Sequence, residues 1–524
     1  MRILRFVVFG LTAFVSLAAA TRAIVAQQPA TARPACDVAI VGATLIDGNG
    51  GPPLPDAVLL ISGKRLTAVG ARSAVTVPTC GRVIDAAGKY VTPGFIDTNV
   101  HMTLIGGSES LSRYYDRLEE IALEGSQLEL KHGVTTIRDS YGWLNPLLAV
   151  RDRINRGEAL GSRLYVAGNI VGWGGNFSQT FARRDPETLF EEQLNDATTQ
   201  GAGEELQSMP PDALRAAMNA YLNKGVDFVK YGGTMHWGPP PHTLTFSERQ
   251  ARAIVEETHR HGKPAETHAT SPEGMYIALT AGVDLVQHPE IMIDGPLPDD
   301  LLKMLVERKV ICSMNTNSIT GRTYQRARKQ LEKEDADRAT ARAEQARSME
   351  RELPARTRTS REMYVEKYGT LNQFPPPLKV IRYWRPNAER LVKAGAIISV
   401  ATDNDMGQGS EFNRDPNAWR DREPGEGTLV SIEGLVELGM TPSDAIVAAT
   451  KHGAMACRAL KEFGTIETGK IADLVLLDAD PLADIHNVRK LNTVIKEGQV
   501  VDRGKLPTAP LFYGKKAAPT SSSR

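Results

Sequence analysis

Eight short apolar runs, each ending in polar residues and followed by a stretch of helical character, constrain this chain more than any other feature. They cover residues 90–101, 134–140, 163–170, 226–232, 263–269, 284–289, 309–315 and 396–405. Parallel neighbours in a sheet need a crossover connection, usually a helix, so this alternation predicts repeated βα units around a parallel sheet. Eight units predict an α/β fold closed as a (β/α)8 TIM barrel with insertions. The competitor is an open doubly wound sheet. It lacks its dinucleotide signal, because no G-x-G-x-x-G turn follows the first run.

The two ends of the chain have a different texture. Residues 36–92 read as short strands, with 57–61 and 65–69 flanking Gly63-Lys64 as a hairpin. The same texture returns near the other end, where 492–496 and 499–502 flank Glu497-Gly498. These pieces predict a small β-sandwich domain built by both termini, 36–92 with 461–510, around a barrel spanning 93–460. One connection is oversized, a helical insertion at about 320–380. It is rich in Arg, Glu, Lys and Ala over 325–351 and ends near Pro375-Pro376-Pro377. It reads as solvated helix, and its place after the seventh strand makes a lid over the pocket the equal alternative. Residues 511–524 read as a disordered tail, polar from Ala517 to Arg524.

Lys plus Arg equals Asp plus Glu at 62 each, so the balance of charge excludes a strong electrostatic bid for nucleic acid or anionic lipid. A hydrophobic share of 41% is that of a globular protein. Residues 1–26 have the order of a secretory signal: Arg2 and Arg5, an apolar stretch over 6–20, then small residues with cleavage after Ala20 or Ala26. That stretch falls short of the roughly 20 apolar residues a spanning helix needs. The expectation is an exported protein, periplasmic or secreted, with no membrane attachment after cleavage. Of Cys36, Cys80, Cys312 and Cys457, none form a C-x-x-C pair. Export permits a disulfide, and Cys36 with Cys80 is the candidate because both lie in the early β-rich segment; four buried thiols are the alternative.

Barrel enzymes build their sites at the C-terminal ends of the strands, and there the polar residues gather. The first run ends with Asn99 and His101, which period-two geometry places on one inward side. Lys230 ends the fourth run, His268 the fifth, His288 the sixth and Asp403 the eighth. Three of the chain's ten histidines thus stand at converging strand ends with a Lys and an Asp. Imidazole nitrogen and carboxylate oxygen suit zinc. A lysine beside a cation is repelled as an ammonium and makes sense as a carbamate or a neutral amine. Metal coordination brings water to a pKa near about 7, so hydroxide attack on a carbonyl follows, with Asp403 shuttling the proton to the leaving nitrogen.

With Val91-Thr92-Pro93-Gly94-Phe95-Ile96-Asp97 before the first pair and Gly464-Thr465-Ile466-Glu467-Thr468-Gly469-Lys470-Ile471-Ala472-Asp473 near the end, nearly the whole chain after the signal resembles the amidohydrolase superfamily. The resemblance implies that Lys230 carries a carbamate bridging two divalent metals, that His268 and His288 bind the second metal, and that Asp403 is ligand and proton shuttle. Asn99 departs from the family's usual His-x-His pair. An amide oxygen binds zinc more weakly than imidazole, so one metal position is expected to be weak or empty. In this respect the chain resembles the phenylurea hydrolases; the rest is similar to prolidase-like and ochratoxinase-like carboxypeptidases. Both groups hydrolyse a C–N bond of a small-molecule substrate, and the chain is expected to be a homo-oligomer.

Weaker candidates complete the set. Tyr231 follows Lys230 and is either a donor to the substrate carbonyl or a packing residue. His236 and Trp237 lie in a Gly- and Pro-rich loop, Trp173 follows the third strand as an aromatic wall, and Asn315 ends the seventh run. A ring deaminase is disfavoured by Lys230, and an inactive binding homologue by the retained Asp403. An organophosphate or lactone hydrolase stays chemically open on the same metals.

Overall fold

The structure, a computed structural model, describes residues 36–106, 108–174, 188–235, 243–292, 295–351, 380–407, 409 and 423–513. The signal-like segment 1–26 lies outside them. Among the described residues no helix is long and apolar enough to cross a membrane.

The eight runs become eight barrel strands in parallel register. They are Phe95–His101, Val134–Asp139, Arg163–Val166 with its extension Ile170–Val171, Val229–Gly232, Ala265–His268, Leu285–Gln287, Ile311–Met314, and Ile397–Val400 with its extension Asn404–Asp405. Two parallel sheets share them. One runs from Asn404–Asp405 through the first strand to Arg163–Val166, and the other runs from Ile170–Val171 to Ile397–Val400. Both seams fall within a single strand of the series, the third and the eighth, so the order closes on itself. At the eighth-strand seam the Thr98 hydroxyl donates to the Val400 carbonyl at 2.8 Å. That uses its only proton, so Ser313 (2.7 Å) and Ser399 (3.0 Å) donate to its two lone pairs.

The barrel interior is polar beneath the strand ends. Arg138 and Glu266, both buried, pair at 2.6 Å; Gln287 donates to the other Glu266 oxygen at 2.8 Å. The Arg138 guanidinium also lies over the Phe228 ring at 4.0 Å. Interior layers of such barrels are usually branched aliphatics. Here a buried charge pair replaces them, and every charge in it has a partner.

The first run does not stay whole. Tyr90–Pro93 leaves the barrel for the terminal sheet, where it pairs with Cys36–Leu45 on one side and Leu474–Leu477 on the other. Gly94 allows the break, because a Cβ there would overlap the Thr135 side chain. The terminal sheet has eight strands, the others being Leu54–Ser62, Arg65–Ala71, Cys80–Asp85, Leu491–Lys496 and Gln499–Val500. Its last hairpin turns on Glu497 and Gly498 with φ of 50° and 79°, the two positive values a type I′ turn requires. Cys36 and Cys80 face each other in register and form a disulfide, Cα–Cα 4.6 Å; Cys312 and Cys457 are buried thiols.

Three salt-bridged residues tie sheet to barrel. Arg163 of the third strand pairs with Asp473 at 2.7 Å and Glu497 at 2.9 Å.

The long insertion begins as a helix, Gly321–Arg351, built from charged residues and alanine with good helix propensity. Its base is held by Arg385, whose guanidinium stacks on Tyr324 at 4.1 Å. Residues 352–379, with the three prolines, lie outside the described set.

The expected disordered tail needs correcting at its start. Leu511 and Phe512 are buried, because the Glu124 carboxylate accepts the backbone N–H groups of Leu511, Phe512 and Tyr513 at 3.2, 2.7 and 2.9 Å. Phe512 meets Tyr114 edge-on at 5.2 Å. A carboxylate satisfying three successive amides holds the apolar start of this segment in place. Residues 514–524 are outside the described set.

Candidate active site

The strand ends bring Asn99, His101, Lys230, His268, His288 and Asp403 together, all buried except the partly exposed Asp403. Among the described residues no three His, Cys, Asp or Glu side chains form a ready metal cage. The donors stand instead in two pairs. His268 Nδ1 faces His288 Nε2 at 2.9 Å, and His101 Nε2 faces Asp403 Oδ1 at 3.0 Å. Two donors each 2.0–2.1 Å from one tetrahedral zinc sit about 3.4 Å apart, so a small opening of either pair admits an ion.

The tautomer of His101 sharpens the point. Its Nδ1 lies 3.1 Å from the Tyr141 carbonyl oxygen, an acceptor, so Nδ1 carries the proton. In the neutral ring Nε2 is then a lone pair aimed at a carboxylate oxygen. Two acceptors at that distance need a positive charge between them, either a second proton or a metal cation. Histidine ligands commonly donate their other N–H to a backbone carbonyl, so the donor set fits a divalent metal.

The backbone is strained where these side chains leave it. His288 has φ of 36° and Asp403 of 55°, left-handed values that non-glycine residues rarely adopt and that cluster at functional sites.

Burial shapes the charges. It lowers the Lys230 pKa against the pull of Asp403, Glu266 and Asp139. It pushes His288 down to about 4, leaving a neutral imidazole. Burial opposes the Asp403 carboxylate too, but the hydrogen bond and charge of His101 outweigh it and hold the Asp403 pKa well below the usual range. Two further carboxyls at the same end go the other way. Burial raises Glu290 to about 8 and Asp139 to about 7.

Asn99, placed among the metal donors by position, directs its amide elsewhere: its oxygen accepts from the Ser140 hydroxyl and its NH2 donates to Asp403 Oδ1 at 3.0 Å. Trp173 stands edge-on to His268, ring centroids 4.8 Å apart. Asn315 is buried, its backbone N–H donating to Glu290 Oε1 at 3.0 Å. Tyr231 requires a correction. Strand neighbours alternate in direction, so with Lys230 facing the barrel interior Tyr231 faces the helices, fully buried with its ring 6.2 Å from Phe246. It is a packing residue. His236 and Trp237 lie outside the described residues.

Sequence reasoning missed Ser140, Asp139 and Glu290. Ser140 was visible as the last residue of the second run. A serine there carries no metal-ligand signal, and its partners, 41 and 90 positions away, emerge only from the fold.

The model of the amidohydrolase family matches residues 90–501. The chain belongs to the amidohydrolase family. As an amidohydrolase it is a hydrolase acting on carbon–nitrogen bonds, with the barrel and β-sandwich architecture of its structural neighbours. Ochratoxinase of Aspergillus niger is 23% identical over 469 residues, covering 86% of this chain and 82% of the relative. Among solved structures, molinate hydrolase is similar with TM-score 0.77 and 31% identity, covering 94% of this amidohydrolase and 99% of that chain. Phenylurea hydrolase B follows with TM-score 0.75 and 29% identity, covering 91% and 99%.

Proposed function

We propose that this amidohydrolase cleaves an amide-type C–N bond of a small molecule with one divalent metal ion, zinc, held firmly and a second position weakened by Asn99. The substrate range is N-acyl amino acids, imidodipeptides and aryl amides, ureas or carbamates. Within it the aryl ureas and carbamates are favoured. The similarity to phenylurea hydrolase B over nearly the full chain supports this. The single observation that carries the metal reading is the gathering of Lys230 and two close donor pairs, His268 with His288 and His101 with Asp403, at the strand ends.

His268, His288 and Lys230 would hold the firm metal, with His101 and Asp403 at the weaker position. When bound, a divalent cation supplies a Lewis acid that polarises the scissile carbonyl and acidifies water. Lys230, favoured as a neutral amine by burial, is the form that adds carbon dioxide with loss of one proton; the resulting carbamate offers oxygen donors where an ammonium would be repelled. Asp403, kept ionised by its neighbours, takes the proton of the attacking water and hands it to the departing nitrogen. The same reading places the enzyme outside the cytoplasm, which the Cys36–Cys80 disulfide supports.

Elemental analysis of the purified protein, with N-acyl amino acids, Xaa-Pro dipeptides and N-aryl ureas screened in parallel, tests the proposal. It expects about one firmly held metal per chain, chelator-sensitive hydrolysis of at least one class, and loss of activity in Lys230→Ala. Hydrolysis that survives chelation, or full activity in Lys230→Ala, would sink it.

A further inference from the structure

Lys230 and Asp403 are joined by a chain of side chains that metal ligation leaves unexplained. Lys230 Nζ donates to Ser140 Oγ at 3.2 Å, the Ser140 hydroxyl donates to Asn99 Oδ1, and Asn99 Nδ2 donates to Asp403 Oδ1 at 3.0 Å. The inventory of each group fits this one direction. A serine hydroxyl has one proton and two lone pairs, so while it gives its proton to Asn99 it has lone pairs left for the lysine. Asn99, having accepted through its oxygen, can only donate through its nitrogen, and it does so to a carboxylate. Of the four side chains, all but Asp403 are almost wholly buried, and main-chain bonds hold Ser140 and Asp403 in place. The Ser140 N–H donates to the Val100 carbonyl at 3.1 Å, and the Asp403 N–H to the Asn99 carbonyl at 2.9 Å.

Resting on the metal-hydrolase reading above, we propose that Ser140 and Asn99 form a hydrogen-bonded strut that does by hydrogen bonding what a second metal ion would do by coordination: it fixes the separation of Lys230 and Asp403. Ser140 is thus a positioning residue. It acts by holding the Asn99 oxygen away from the metals, which commits the amide nitrogen to Asp403. A charge-terminated chain of aligned donors in a dry site is stiffer than its separate bonds. The site then needs one ion for chemistry, with the strut in place of the other.

The test uses Ser140→Ala and Ser140→Cys, the latter close in volume but a weak donor, with Ser140→Thr as the variant that keeps the hydroxyl. Kinetics are measured on whichever substrate class the wild type hydrolyses, and zinc stoichiometry and affinity by competition with a chelator. The strut predicts that Ala and Cys lower kcat by about tenfold to a hundredfold, the cost of losing a residue that orients metal ligands. It also predicts KM within about threefold of wild type, the first zinc retained and Thr restoring most of kcat. It further predicts that affinity for a second zinc rises in Ser140→Ala, because the Asn99 oxygen is released. A merely structural serine would not produce that gain. Unchanged kcat in Ala and Cys overturns the strut, as does equal loss in all three variants. If Ser140→Ala does not fold, the Cys and Thr variants decide by the same comparison. A wild type with neither bound metal nor C–N hydrolysis fails the parent reading instead, which the wild-type controls reveal before any variant is made.

Discussion

At the scale of single residues, Asp403 combines an uncommon backbone conformation with a crowded set of partners. It takes hydrogen bonds from Asn99 and faces His101 through one oxygen, both at 3.0 Å. Replacing it by Asn keeps shape and volume but removes the carboxylate charge and with it the ability to accept and return a proton. Asp403→Asn is expected to lower kcat by about a hundredfold to ten-thousandfold with little change in KM, read by steady-state kinetics; a change in KM alone would mean that Asp403 binds substrate without moving protons. The positions of the residues at the strand ends were legible in the sequence, because period-two alternation and a strand end specify direction without long-range knowledge. Tyr231 shows the limit of that logic. Its neighbour Lys230 drew attention to it, yet the same alternation that turns Lys230 inward turns Tyr231 into the core. Ser140 shows the opposite limit. Its chemistry is supplied by Asn99 and Lys230, and a hydroxyl has no signature until its partners are placed.

At the scale of elements, the ends of the third and fourth strands are fitted to one another. A Cβ on Gly232 would sit within the Trp173 indole, so the glycine is what lets that ring lie edge-on to His268. Gly232→Ala is expected to destabilise by about 1–3 kcal/mol through overpacking. Because a displacement of about 1 Å near the reacting centre can cost a hundredfold in rate, the larger effect belongs in kcat/KM. Thermal denaturation and kinetics together check this; a stability loss with unaltered kcat/KM would separate Trp173 from the site. Strand assignments were legible from the alternation of apolar runs with helical stretches. The change of sheet at Gly94 was legible only as a domain boundary at 92/93, because 90–101 reads as one run and the close packing of Thr135 on Gly94 emerges only from the fold.

At the scale of the whole molecule, the sheet domain and the barrel are joined through Arg163, Asp473, Lys496 and Glu497. Burial works against the Glu497 carboxylate, but Lys496, Lys64 and Arg163 lower its pKa to about 2, and Asp473 is lowered by Arg163 and Lys496 despite its own burial. A folded pKa below the unfolded one gives stability that is complete above the ordinary carboxylate value of about 4.3 and is lost as pH falls towards the folded value. Wild-type stability should therefore decline between about pH 4.5 and pH 2 more steeply than that of Glu497→Gln. Glu497→Gln should be the less stable protein at neutral pH, and denaturant midpoints across that range are the measurement. Parallel slopes would show the junction to be electrostatically indifferent. Both ends of this domain carried strand and turn signals in the sequence, but the ion pairs joining them to the barrel span more than 300 positions and no local pattern announces them.

The terminal sheet also sets a schedule for synthesis. Tyr90–Pro93 lies between a strand made before it and Leu474–Leu477, made after it. Roughly 380 residues separate them, so at about 5–20 residues per second a ribosome leaves that edge bare for roughly 20 to 80 s. Until then Val91 and its neighbours present an unpaired strand, the kind of edge that recruits other chains. The rim of the barrel waits longer still, since Glu124 receives its three amides only from Leu511–Tyr513. A newborn chain of this kind depends on being shielded for most of its own translation, and shortening it by even its last described residues would release a half-finished barrel rim.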